Sequence, residues 1–296
     1  MLDSVIVGGS SAGLSAALLL GRSLREVVVV DDQRPCNRFS RASHGFLTRD
    51  GVAPSDLVRL AREQLAHYPS VQLHTSTVVR ITRMGDGFTV ASSDGSSLEA
   101  RTVLLATGLR DDLPALPGIE LLWGTSVFHC PYCDGFEVRG KAVAVYGQDA
   151  AALHQALLLR RLTDNLTFFA GWELSTAQRE RLALAGIPVI EQPIAQLDSE
   201  GTQLSAIQMT DGSVLACDAL FIRPRTSHRT SFAYDLGCQT DEQAVVQVDR
   251  RGRTTVDGVY AAGDLSSPVR SVAIAVAQGA AAAYGINADL VEKDYP

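Results

Sequence analysis

Two cysteines stand three residues apart in His129-Cys130-Pro131-Tyr132-Cys133-Asp134-Gly135. That spacing lets both sulfurs meet in a disulfide while one stays open to attack, as thiol–disulfide exchange requires. A leaving sulfur must trade a proton with a neighbouring acid or base, and both Asp134 and His129 stand close enough in sequence to serve. Zinc is the rival chemistry for such a pair, but a closed zinc site takes four ligands. The chain has no second cysteine pair at this spacing and no paired histidines, so no metal is expected. The tetrad would also suit a glutaredoxin, where it opens a small domain near the first strand; here it stands in mid-chain. Cys36, Cys217 and Cys238 read as ordinary small residues.

A second chemical signal opens the chain. Gly8-Gly9-Ser10-Ser11-Ala12-Gly13 lies between a short apolar run and a helical stretch, so the turn can bring backbone N–H groups and a helix N-terminus onto a pyrophosphate. Ser10 replaces the middle glycine of the usual motif, which makes the approach tighter. Asp31 ends the next apolar run, where a carboxylate takes ribose hydroxyls, and Asp32 can share that role. Gly8, Ser10, Ala12, Gly13 and Asp31 are therefore the expected dinucleotide contacts.

These residues need elements to place them. The apolar runs at 4–7, 26–30, 102–106, 141–146 and 166–169 are short and bounded by glycine or charge, as buried parallel strands are. Helical stretches at 12–24 and 150–162 each follow a strand and a glycine, the opening of a βαβ unit, so two nucleotide-type lobes are expected. Residues 71–105 alternate and break at Gly85-Asp86-Gly87 and Asp94-Gly95-Ser96, which predicts an antiparallel meander, and 204–222 repeats the device around Asp211-Gly212. The predicted fold is α/β with two Rossmann-like, three-layer ββα domains, the second inserted in the first. The predicted boundaries are 1–113 and 245–296 for the first domain and 114–244 for the insert. A net charge of −7 over 296 residues argues against nucleic acid or an anionic membrane as partner. The start of the chain carries no basic, cleavable leader, and the Ala-rich late stretch at 272–283 is too short to span a bilayer, so a cytoplasmic location is expected.

Taken together, the N-terminal glycine turn, Ala106-Thr107-Gly108, the Cys-x-x-Cys-Asp-Gly segment and Gly258-Val259-Tyr260-Ala261-Ala262-Gly263-Asp264 make the chain resemble the low-molecular-weight thioredoxin reductase family along nearly its whole length. The resemblance implies FAD in the first lobe, with Thr107, Gly108, Gly263 and Asp264 near it. Arg270, Ser271 and Val272 stand where the family has Arg-Gln and a small apolar residue, so Ser271 is a departure. It further implies that Cys133 faces the flavin, that Cys130 exchanges with the substrate disulfide, that Asp134 donates the proton, and that the protein is a homodimer.

The second lobe departs from that pattern. Where the family carries a glycine-rich NADPH turn, this chain has Tyr146-Gly147-Gln148-Asp149-Ala150-Ala151, and where it has a basic cluster for the 2′-phosphate, this chain has Ala170-Gly171-Trp172-Glu173. Both the close backbone approach and the compensating charge are lost, so NADPH is not expected as donor. The segment from His44 to Gly51 and the Gly-Gly-Ser form of the first turn look more like a divergent branch that includes fungal dithiol oxidases and pyridine-nucleotide-independent thioredoxin reductases. His44 would then face the flavin or the thiols, the alternative being a packed hydrogen-bond donor. Tyr295, one residue from the end, either is an exposed terminal side chain or stacks on the flavin face that a nicotinamide otherwise uses. The expected activity is FAD-dependent dithiol/disulfide exchange with a thioredoxin-like protein or a small dithiol. The competing readings are an oxygen-dependent dithiol oxidase acting on a small molecule and a non-catalytic flavin redox sensor.

Overall fold

Runs of β-branched residues make the first sheet. The computed structural model describes all 296 residues, Met1–Pro296. Its early elements are β1 (Leu2–Val7), α1 (Ser11–Arg22), β2 (Val27–Asp31), α2 (Pro54–Leu65), β3 (Val71–Thr75), β4 (Val78–Met84), β5 (Gly87–Ser92) and β6 (Ser97–Leu105). The strands lie in the order β3-β2-β1-β6-β5-β4, with Val259–Ala261 also pairing along β6. The β4–β5–β6 stretch is the antiparallel meander read from the sequence. Residues 71–75 are not part of it: β3 pairs in parallel with β2 at the sheet edge. Alternation in this short strand therefore reflects an edge position and not a hairpin.

Successive residues of these strands face opposite layers. Ile6, Val27, Val29 and Leu104 pack with α1 and the C-terminal helix Val272–Asp294. Val5, Val7, Val28, Val30 and Val103 pack with Phe88, Val90 and Phe232 on the other side. The two helices meet at glycine: a Cβ on Gly279 would lie 2.0 Å from the Ala12 carbonyl oxygen, so no larger residue permits that approach.

A second sheet, all parallel, has the order Val189–Ile190, Leu166–Ala170, Val143–Gly147, Ala219–Ile222, Val127–Phe128. One face is covered by Ala151–Leu159 and Thr176–Leu184 through Val145, Phe168 and Phe221. The other is covered by the antiparallel strands Ile194–Glu200, Gln203–Met209 and Val214–Ala216 through Ala144, Phe169 and Leu220. Both sheets thus have the layered α/β build expected.

The chain divides into two compact units. One comprises Met1–Arg38, Phe46–Arg110 and Ser227–Pro296, the other Phe39–Gly45 and Asp111–Thr226. These limits differ from those read in the sequence at three places, the first being that Asp111–Leu113 belong to the second unit. Residues 227–244 fall in the first unit because Phe232, Ala233 and Cys238 are buried in its core. The seven residues Phe39–Gly45 fall in the second. No helix is long and apolar enough to cross a membrane.

Candidate redox and dinucleotide sites

In the first unit, the glycine turn is fixed by crowding. Gly8 has φ +107, and a Cβ there would lie 2.3 Å from the Ala106 carbonyl oxygen. On Gly13 a Cβ would lie 1.9 Å from the Gly8 carbonyl oxygen, and on Gly9 it would meet the Asp31 side chain at 2.8 Å. Strand end, turn and helix start are therefore stacked as closely as backbones allow. Ser10 is the N-cap residue of α1, yet its side chain makes no capping hydrogen bond, and Ala12 lies buried in the first turn. The helix start is left without an internal anion. Thr107 Oγ1, in the segment against which Gly8 packs, is buried with no hydrogen-bond partner. An uncapped helix start beside an orphaned hydroxyl is a cradle that suits a dinucleotide pyrophosphate.

The flanking residues are held by partners that no sequence motif announces. Arg62 on α2 pairs with Asp31 at 2.8 Å. Asp32 pairs with Arg34 and Arg229, so of the two acids Asp31 is the one against the glycine turn. Gly263, with φ +79, gives its N–H to Gln278 Oε1 at 3.0 Å. The Asp264 carboxylate receives Arg270 Nε at 3.2 Å and the Cys36 thiol at 3.8 Å. Gly108, also at positive φ, has open space around it. The Ser271 hydroxyl caps the last helix by accepting the Ile274 N–H, and Val272 begins that helix. The departure from the family residue at 271 therefore has a structural use.

In the second unit, the edge strand Val127–Phe128 leads into the thiol segment. Cys130 is extended and Pro131 begins the short helix Pro131–Asp134, where a missing N–H costs nothing. The Cys130 sulfur stands in the capping position and accepts the Cys133 N–H at 3.1 Å. The two cysteines are joined as a disulfide with Cα atoms 5.2 Å apart. Gly135 is required next, since a Cβ would lie 2.4 Å from the Pro131 carbonyl oxygen. The His129 ring lies beside Trp123, centroids 5.9 Å apart.

Asp134 holds its proton unusually firmly. Burial first, and then the neighbouring Glu137 carboxylate, push it up to about 7, while His44 pulls in the opposite direction. His44 Nε2 lies 3.5 Å from Glu137 Oε1. The structure thus gathers Asp134, Glu137 and His44 in one unit, a grouping that their spacing in sequence hides. Tyr132 and Phe136 flank the disulfide as exposed aromatics, 79% and 62% accessible.

The second nucleotide-type turn is closed from within. Tyr146 lies in the strand Val143–Gly147, so the turn itself is Gly147 to Ala150. Asp149 Oδ1 accepts the N–H groups of Ala151 at 2.9 Å and Ala152 at 3.3 Å, placing a carboxylate on the helix start where a pyrophosphate would bind. A Cβ on Gly147 would meet Phe168 and Trp172 at 2.6 Å, so these rings fill the space over the turn.

The C-terminal tail is fastened to the start of the first strand. Asp294 is anchored to Arg25 at 2.8 Å and Arg101 at 2.7 Å, and both arginines also reach Asp3 at the start of β1. The glycine turn lies past the other end of that strand, about 16 Å away at the rise of an extended chain. Tyr295 is 80% exposed there.

With this geometry in place, three comparisons bear on it. The model of the pyridine nucleotide-disulphide oxidoreductase family matches residues 2–279. The thioredoxin reductase tcpT of Claviceps purpurea is 30% identical over 94% of this chain and 91% of its own. Thioredoxin reductase aclD of Aspergillus oryzae is 29% identical over 98% and 96%. A putative thioredoxin reductase TrxB from Bacillus anthracis superposes with a TM-score of 0.96 at 32% identity, covering 100% of both chains.

Proposed function

Because this chain belongs to the pyridine nucleotide-disulphide oxidoreductase family and is a thioredoxin reductase-like enzyme, we propose that it is an FAD-dependent dithiol/disulfide oxidoreductase working through Cys130 and Cys133 without a pyridine nucleotide as electron donor. One contrast carries the reading. The helix start at Ser10 has no side-chain cap, whereas the corresponding start in the second unit is occupied by Asp149. An anion can settle on the first and is excluded from the second by like charge. The stretch directly after the next strand, Gly171 to Ser175, carries no arginine to hold a 2′-phosphate.

The α1 N-terminus and Thr107 would hold the FAD pyrophosphate, Asp31 a ribose, and Gly263, Asp264 and Arg270 the adjoining groups. FAD supplies the two-electron exchange with the thiol pair, chemistry that no side chain offers. The remaining steps belong to this chain. Cys130 is the attacking sulfur: in the disulfide its Sγ already accepts the Cys133 N–H, a donor suited to negative charge on that atom. Its attack breaks the partner's disulfide and joins one partner sulfur to Cys130. Cys133 then attacks Cys130 Sγ, restoring the Cys130–Cys133 bond and releasing the second partner thiol. Asp134, with its pKa near neutrality, gives the proton that the leaving sulfur takes.

Tyr132 and Phe136 offer an apolar rim to a thioredoxin-like protein or a small dithiol. The protein acts in the cytoplasm as a homodimer, tested by sedimentation of the purified chain. An anaerobic titration with NADPH, NADH and dithiothreitol, following the flavin band, tests the reading as a whole. Bleaching by dithiothreitol alone supports it, and rapid bleaching by NADPH refutes nucleotide independence. Hydrogen peroxide released when a dithiol is added in air would instead select the oxidase reading.

A further inference from the structure

The helix Ala151–Leu159 buries one polar side chain, Gln155, at 4% exposure. Its Nε2 donates to the His129 carbonyl at 2.7 Å and to the Ile222 carbonyl at 3.3 Å. This orientation is forced, because the amide oxygen cannot face two acceptors. The Oε1 atom is left buried with no partner. An orphaned buried acceptor is destabilising, so the amide has to return something that an apolar side chain would not. What glutamine adds is two donors, and both end on backbone that matters to the thiols. His129 immediately precedes Cys130, and Ile222 closes the strand Ala219–Ile222, next to the edge strand that leads into the thiol segment.

We propose that Gln155 is a positioning residue for the Cys130–Cys133 couple, tying the entrance of the thiol loop to the end of the sheet so that the loop keeps its closing geometry when the bond opens. Cys130 is the single extended residue between the anchored His129 carbonyl and the helix Pro131–Asp134. With its entrance fixed, the Cys130 sulfur remains over the Cys133 N–H and within reach of Cys133 Sγ. How readily two thiols close depends on how narrowly the backbone confines them. The anchor therefore favours the disulfide, and losing it makes the pair easier to reduce. The proposal rests on Cys130–Cys133 being the redox pair.

The test uses Gln155→Met, which keeps the length and removes both donors, and Gln155→Asn, which keeps a shorter amide. Each full-length protein is equilibrated anaerobically with mixtures of reduced and oxidised dithiothreitol. As Cys130–Cys133 opens, dithiothreitol closes to its cyclic disulfide, so two electrons and two protons change hands. Gln155→Met is expected to reach half-reduction at a reduced-to-oxidised ratio about threefold to tenfold lower than wild type, the worth of one hydrogen bond. Its melting temperature should stay close to that of wild type, because one orphaned acceptor goes as two carbonyls lose a donor, and the midpoint of Gln155→Asn should fall between the two. The pH profile of Cys130 alkylation should also move in Gln155→Met, a change that a role in stability alone would not produce. A midpoint and profile equal to wild type overturn the proposal. If Gln155→Met fails to fold, side-chain amide exchange in wild type decides: protected Gln155 protons that exchange faster once the disulfide is reduced support it, and free exchange in the oxidised state overturns it. A wild-type pair that dithiothreitol never opens refutes instead the assignment of Cys130 and Cys133.

Discussion

Asp134 carries the clearest pH signature at the scale of single residues. Its pKa of about 7 lies above the 3.8 of an unfolded aspartate, chiefly through burial. Between those values the native chain keeps a proton that the unfolded chain has lost, so this group's contribution to stability falls as pH rises through about 4 to 7. Asp134→Asn removes that dependence and should be the more stable protein at pH 8, by about 1–3 kcal/mol in denaturant melts. It should also lose the apparent pKa near 7 in thiol–disulfide exchange. The two neighbours act in opposite senses: His44→Ala should move that apparent pKa up and Glu137→Gln should move it down, each by about half a pH unit. Shifts in the same direction would show that these side chains do not act on Asp134 through charge. The sulfur roles are separable as well. Cys133→Ser should accumulate a mixed disulfide between Cys130 and a partner thiol, seen as a mass increase, whereas Cys130→Ser should not; the reverse pattern would exchange the two assignments.

Two helix starts that each follow a strand and a glycine, α1 and Ala151–Leu159, are finished differently. At α1 the approach of strand, turn and helix leaves no room for a Cβ at Gly13, 1.9 Å from the Gly8 carbonyl oxygen. Gly13→Val must push α1 off the sheet, which should cost more than about 3 kcal/mol and abolish flavin retention, read as melting temperature and the visible band of the purified protein. A yellow, normally stable variant would show that the turn tolerates what its geometry forbids. At residues 151–159 the carboxylate of Asp149 and the rings of Trp172 and Phe168 take up the corresponding space. The element survives because its apolar face, including Ala152, Ala156 and Leu159, still packs on the second sheet.

For the molecule as a whole, the C-terminal tail is a fastening. Asp294 lies between Arg25 and Arg101, whose hydrogen bonds first, and then their charges, hold its carboxyl below the usual range. Deleting residues 294–296 should lower the melting temperature at neutral pH and low salt. The effect should fade in high salt and as pH falls through the range where Asp294 takes up a proton. Flavin fluorescence and the response to NADPH should stay as in the intact chain. A large change in fluorescence would return Tyr295 to the flavin.

What the sequence determined by itself was whatever depends on local spacing. The Cys130–Cys133 pair, the glycine turn before α1, the valine runs of β1 and β2 and the loss of a basic cluster after residue 170 are all contiguous signals, because periodicity and turn chemistry act over a few residues. Which distant groups meet was settled by the fold. That Phe39–Gly45 brings His44 to Glu137, that Arg62 holds Asp31 and that Gln155 reaches His129 depends on chain return over tens of residues, which no local pattern encodes. The tail shows the same reason at work: one residue from the end of the chain says nothing about place, and the course of the long last helix brings Asp294 to Arg25 and Arg101 at the start of β1.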